Sequence, residues 1–332
     1  MPPPQSVNGV VQSPAPVLTP TSTPTSTPSP TPSPTPSPVA EANRTRAAHA
    51  GLAASVLLLG VNWPIMKMGL QHVPAYWMIS LRMVLTLPVV LLFILLWHRR
   101  LPILIRGDLP LILGVVLLQH VGMLGLLTVS LQFVPAGTAS ILLYMTPLWM
   151  MVLDWAVFRV LPGRRRAALA LLSAAGCAII LFASGQPGMW LPLFGILMAS
   201  AFWAASMRLV AHHAWKGTAE DALFWQFLLA GPLMGVVAWL IDGPAQASYF
   251  LFPAIACLGF TGPLASGLGF GLMMAAGQVL PAPRVALIST AAPLVGFLSA
   301  NLLLGEPIRP LVAFGAALML SALALGTLGR TK

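Results

Sequence analysis

The apolar residues of this chain come in long runs. From about Ala47 to Leu328, stretches of roughly 20 apolar residues alternate with short polar loops. A helix of that length crosses the ~30 Å hydrocarbon core of a bilayer. The pattern predicts ten helices, at Ala47–Leu70, Ala75–Trp97, Leu109–Leu131, Ala136–Phe158, Arg166–Ala183, Trp190–Ala211, Ala222–Ile241, Phe252–Gly277, Ala282–Leu304 and Ile308–Leu328. Breakers mark the joints: Val73-Pro74, Val134-Pro135, Leu161-Pro162-Gly163, Gly185-Gln186-Pro187-Gly188, Gly243-Pro244, Pro281 and Pro307. The expected fold is an all-α membrane protein.

Composition agrees. Hydrophobic residues make up 58% of the 332 and charged residues 7%, with a mean hydropathy of +0.87. A soluble domain carries about 25% charged residues. The net charge of +10 invites a nucleic-acid reading, which the placement of the charges rejects. The basic residues sit at helix ends, where bilayer topology puts them. Cys177 and Cys257 fall inside apolar runs, as small core residues do. No metal-ligand spacing is present, and no cofactor is implied.

The first residues are a separate object. Ser-Thr-Pro repeats from Thr19 to Pro38 bury nothing, so residues 1–46 are expected to be a disordered cytoplasmic tail. No basic segment leads into an apolar one there, so the tail is not a signal peptide. Val39, read from a valine codon, is an alternative start that would remove the tail.

Lysine and arginine orient the helices. One side receives Arg44, Arg46, Arg99, Arg100, Arg106, Arg159, Arg164, Arg165, Arg166, Lys216, Arg330 and Lys332, whereas the opposite loops hold Arg309 and little else. This asymmetry places both termini in the cytoplasm and requires an even number of spans. The expected location is the cell (inner) membrane.

The chain also repeats itself. A shift of 146 positions lays Pro135-Ala136 on Pro281-Ala282, Pro147-Leu148 on Pro293-Leu294 and Gly125 on Gly271. A shift of 140 lays Trp63 on Trp203 and His72 on His212. Each half, residues 47–185 and 186–332, reads as five helices. Five is odd, so the second half enters the membrane from the other side. Inverted repeats of this kind are common in secondary transporters, with the site near the midplane between them.

Several motifs give the pattern a family. The first helix reads Gly60-Val61-Asn62-Trp63-Pro64-Ile65-Met66-Lys67. Arg82 follows Pro74 in the second. Val134-Pro135-Ala136 precedes Tyr144-Met145-Thr146-Pro147. Leu280-Pro281-Ala282, Ala292-Pro293 and Leu303-Leu304-Gly305-Glu306-Pro307 come in the second half. In this order, from about Ala47 to the C-terminus, the chain resembles the EamA-type ten-helix exporters of the drug/metabolite transporter superfamily. The resemblance implies two inverted five-helix repeats around a central cavity, and movement of small metabolites, without implying a particular solute. One departure stands out: the counterpart of Gly305-Glu306 is Arg159-Val160, so the acidic residue belongs to one half only.

Candidate site residues follow from polar chemistry inside apolar runs. Lys67 either snorkels to the interface or faces the cavity. Arg82 lies about eight residues into its helix with apolar neighbours, where a charge is expensive and marks a cavity or partner. Both could attract an anionic group such as a carboxylate. Gln119 and His120 either bond between helices or, for His120, contact solute or carry a proton. Asp154 is a second proton-coupling candidate, with pairing to Arg159 one turn away as the alternative. Asn62, Trp63 and Trp203 would suit an amphipathic or aromatic solute, with packing as the alternative for each ring. Tyr144 and Thr146 before Pro147, and Ser289 and Thr290 before Pro293, form a related pair in which hydroxyls can satisfy carbonyls that proline frees. Gly231…Gly235 and Gly267…Gly271 are steps for close helix contact.

No phosphate-binding GxxxxGK[ST] loop, HExxH or GxSxG is present. The expected function is a secondary transporter exporting small metabolites, such as amino acids or related amphipathic compounds, by alternating access. Its cavity would be lined by helices one, three, four, six, eight and nine. Its partners are a small-molecule solute and the lipid bilayer, with no nucleic acid; assembly as a homodimer is left open. The rival reading is an intramembrane enzyme acting on a lipid-like substrate.

Overall fold

A computed structural model describes residues 38–213 and 216–328. Among them, ten helices are long and apolar enough to cross a membrane. They are α1 (Pro38–Gly69), α2 (Ala75–His98), α3 (Arg106–Leu131), α4 (Ala136–Val157), α5 (Arg164–Ser184), α6 (Trp190–Ala211), α7 (Ala219–Asp242), α8 (Ala254–Gly277), α9 (Ala282–Leu304) and α10 (Pro310–Leu328). Prolines 74, 135 and 281 sit at the N-caps of α2, α4 and α9. There a missing N–H is harmless and the fixed φ starts the turn.

One boundary differs. Helix α1 begins at Pro38, so residues 38–46, expected in the tail, are helical. This stretch is polar, with Glu41, Arg44 and Arg46 exposed. It extends the helix past its apolar part, and hydropathy is blind to such an extension. The expected tail before it, residues 1–37, lies outside the described residues.

The repeat governs the packing. Helices α2 and α7, α5 and α10, and α4 and α9 each pack against their own counterparts. The remaining major contacts come in related pairs: α1 with α9 and α6 with α4, α1 with α8 and α6 with α3, α2 with α8 and α7 with α3. Exchanging the halves therefore reproduces the bundle. Glycines permit the closest approaches. A Cβ on Gly176 of α5 would lie 2.6 Å from the Gly315 carbonyl of α10, and a Cβ on Gly315 would lie 2.7 Å from that of Gly176. Gly231 and Gly235 face Val84 and Ser80 of α2, and Gly267 and Gly271 face Val89 and Phe93, so both glycine steps mark tight helix contacts.

Each half carries the same two irregularities. Helix α3 widens into π turns at Val116–Met123, and α8 does so at Phe260–Gly269. In α8, Pro263 lacks an N–H, and the Ser266 hydroxyl donates to the Thr261 carbonyl at 2.8 Å. Helix α4 tightens at Leu143–Met145, and α9 is interrupted at Thr290. Thr146 donates to the Leu143 carbonyl at 2.9 Å and Thr290 to that of Leu287 at 2.6 Å. These hydroxyls add side-chain hydrogen bonds to the backbone where the regular helical ladder is interrupted. Large apolar side chains such as Phe182, Leu191, Phe252 and Leu302 point outward, each at least 80% exposed, as a lipid-facing surface requires.

Candidate functional site

Wide helical turns often occur at functional sites, and each π segment carries a buried polar residue, His120 in α3 and Ser266 in α8. Arg82 of α2 is buried. Its guanidinium donates to the Ser266 hydroxyl at 2.6 Å and contacts the Met66 sulfur of α1 at 3.2 Å. Its Nε has no hydrogen-bond partner, and no ion pair among the described residues includes Arg82. His120 lies in the π turns of α3, buried, with its ring edge-on to Phe227 of α7 at 5.6 Å.

The aromatic candidates pack in pairs and against neighbouring helices. Tyr144, in the tight turn of α4, meets Trp203 of α6 edge-on at 5.8 Å. Trp63 is buried against α9, where a Cβ on Gly296 would lie 2.9 Å from its ring. The Asn62 side-chain oxygen is buried without a partner. Ser140 of α4 donates to the Pro293 carbonyl of α9 at 3.2 Å, tying the two broken helices together.

Four sequence candidates turn elsewhere. Lys67 neither snorkels nor joins Arg82. It donates to the Val134 carbonyl at 2.6 Å and pairs with Glu306 at 3.5 Å. Asp154 pairs with Arg208 of α6 rather than with Arg159. Arg159 caps α4 in the left-handed region, φ 56°, which takes it out of the helix that would have faced it toward Asp154. Gln119 accepts from Ser206 of α6 at 3.0 Å, an interhelical bond. Ser289 contacts the Met273 sulfur at 3.7 Å.

Sequence reasoning missed the polar anchors at the helix ends. Asp221, three residues after the capping Thr218, takes both guanidinium nitrogens of Arg100 at 2.9 and 2.7 Å, and the Ile103 amide at 3.1 Å. This hydrogen bond raises the Arg100 guanidinium above its ordinary value. Buried Asp108 accepts the Lys216 and Gly217 amides and pairs with His213 at 3.2 Å. The Thr218-x-x-Asp221 spacing was the one readable signal among these.

Two clefts open at the ends of the bundle. One, of about 420 Å³, lies between α2, α7 and α8 and is lined by Phe93, Trp97, Leu223, Met274, Glu220 and Gln278. The other, of about 640 Å³ including its open mouth, is lined by Thr138, Gln186, Phe297, Glu306 and Arg309. Neither is lined by Arg82 or His120, both of which are buried.

The EamA-like transporter family matches the chain twice, at residues 47–182 and 190–328, one match to each repeat. A Salmonella typhimurium protein named "Probable amino-acid metabolite efflux pump" is 26% identical over 285 residues, 82% of this chain and 92% of that one. An Escherichia coli K12 protein of the same name is 26% identical over 286 residues, with the same coverage. A solved structure aligns with a TM-score of 0.55 and 17% identity, over 88% of this chain and 100% of its own, a likeness of fold alone. With ten membrane helices and a family match over both halves, the chain belongs to the EamA-like transporter family and is an integral membrane transporter.

Proposed function

We propose that the protein is a secondary transporter that exports small metabolites, amino acids or related amphipathic compounds, across the cell membrane by alternating access. The two relatives named as efflux pumps support the direction and the class. The solute would bind around Arg82, His120, Tyr144 and Trp203, with Asn62 and Trp63 as further candidates. A buried guanidinium with no carboxylate partner is costly in a low dielectric. A solute carboxylate would supply the counter-charge, and the nearby rings would take an apolar side chain.

One observation carries the mechanism. Every residue from Ala136 to Leu142, the first turns of α4, is buried, whereas none from Ala282 to Ser289, the matching turns of α9, is. In a bundle whose halves are related by exchange, two segments of the same kind packed so differently describe one of two interconvertible states. The other state has α9 packed and α4 loose. The driving force is a gradient of the solute or of a coupled ion, with protons the first candidate. Of the two carriers that the sequence offers, Asp154 is held by Arg208, which favours His120.

Purified protein in liposomes loaded with mixed amino acids tests this reading. The expected result is that particular amino acids appear outside, chemically unchanged. Conversion of a substrate instead of movement would favour the enzyme reading.

A further inference from the structure

The bundle's two faces are closed by different chemistry. On the face away from the basic loops, Glu306 reaches from the α9–α10 loop to the start of α4. Its Oε1 accepts the Ala136 amide at 2.7 Å and its Oε2 the Gly137 amide at 3.0 Å. A carboxylate there satisfies two open N–H groups and meets the positive end of the helix dipole. Lys67 of α1 completes the arrangement at 3.5 Å, anchored by the Val134 carbonyl. Gly305, at φ 65°, turns the chain so that Glu306 points back, and Asn301 donates to the Glu306 carbonyl at 2.8 Å.

The other face is tied by Asp221 to Arg100 and by Asp108 to His213, which join the α2–α3 and α6–α7 segments, but α9 receives no counterpart of the Glu306 contact there. Arg159 holds the place of Gly305, with the same left-handed backbone (φ 56°, against 65°). Val160 therefore stands where Glu306 would, and a valine accepts no hydrogen bond. Neither Pro135 nor Pro281, the N-caps of α4 and α9, has a capping side chain, and only α4 receives a carboxylate from the facing loop. The helix that receives it is the one whose first turns are fully buried, and the helix without it is the one with none buried.

We propose that Glu306 and Lys67 form a one-sided latch that holds the first turns of α4 closed against α1 and α9. Opening of that face by movement of α4 then requires the latch to break, while no equivalent pair holds the first turns of α9. The latch makes the state with α4 packed the resting state of the solute-free protein. This rests on the transporter reading only for the idea that the faces open in turn.

The test uses cysteine accessibility and no solute, so it stands or fails apart from transport. In full-length protein with Cys177→Ala and Cys257→Ala, purified in detergent, single cysteines are introduced as Ser140→Cys on α4 or Ala286→Cys on α9. A water-soluble maleimide should label Ala286→Cys readily and Ser140→Cys slowly. Adding Glu306→Gln should speed labelling of Ser140→Cys by at least roughly tenfold, the factor that one charge-assisted hydrogen bond of ordinary strength supplies. Labelling of Ala286→Cys should slow. Lys67→Met, which leaves the carboxylate on the α4 amides, should act in the same direction more weakly and remains informative if Glu306→Gln fails to fold. An unchanged Ser140→Cys rate in both variants overturns the latch. So does a rise at both cysteines together, which marks general loosening.

Discussion

Arg82 donates to Ser266 at 2.6 Å, and the place that Ser266 holds in α8 is held by His120 in α3. Phe227, which meets His120, lies in α7 one position past Gln226, the residue whose place in the helix matches that of Arg82 in α2. The two-fold backbone therefore carries unlike chemistry on its two sides: a cation against a hydroxyl, and a phenyl ring against an imidazole. Such a centre suits a solute with one charged end and one apolar end, the property that an amino acid or a related amphipathic metabolite has.

Topology follows from the charges. A reporter active only in the cytoplasm should be active when fused after Lys332 and silent when fused near Gln186, if the basic loops lie on the cytoplasmic side as the charge asymmetry predicts. The reverse result at either position would exclude a ten-helix arrangement with both ends inside.

The Ser-Thr-Pro composition of the first residues offers little apolar surface to bury. Removing Met1–Ser37 should leave membrane levels and flux unchanged within error, measured by immunoblot and solute release. Loss of flux at normal membrane levels would show that the segment acts on the transporter.

The Asp154–Arg208 pair is expected to be a structural tie between α4 and α6. Asp154→Ala should lower stability by about 1–3 kcal/mol, because it leaves a partly buried guanidinium short of its partner, and thermal unfolding of the purified protein reads this directly. Exchanging the two residues, Asp154→Arg with Arg208→Asp, should restore flux. Loss of proton dependence in the exchanged protein, with flux otherwise retained, would instead make Asp154 a proton carrier.

Close packing of α5 on α10 depends on two glycines. Gly176→Val should cost about 1–3 kcal/mol or more by overpacking, since even a Cβ there would lie 2.6 Å from the Gly315 carbonyl. A melting temperature equal to that of the parent would show that the two helices separate freely.

The ten spans, their order and the repeat were legible because hydropathy, proline and glycine act locally. Pro135 and Pro281 marked the starts of α4 and α9 to the residue. The partners of buried charges were not legible. Glu306 finds Ala136, and Asp221 finds Arg100, across more than 100 positions, and no local pattern encodes such a meeting. Asp154 illustrates the failure: helical spacing pointed to Arg159, but that residue leaves the helix at its cap and the tertiary neighbour Arg208 takes its place. The π turns were equally hidden, because a change of backbone hydrogen-bond register leaves hydropathy unchanged. Only Pro263 hinted at one of them.

The central claim is that Arg82 holds the solute's anionic end. Its most direct measurement is amino-acid efflux from proteoliposomes containing the parent protein, Arg82→Ala or Cys177→Ala at matched protein levels. Losing a charge-assisted contact worth about 1.5–3 kcal/mol should slow efflux by Arg82→Ala roughly ten- to a hundredfold. Cys177→Ala, altered at a small buried side chain far from polar partners, should differ little from the parent. Efflux by Arg82→Ala at the parent rate would contradict the account and make the buried guanidinium a structural group.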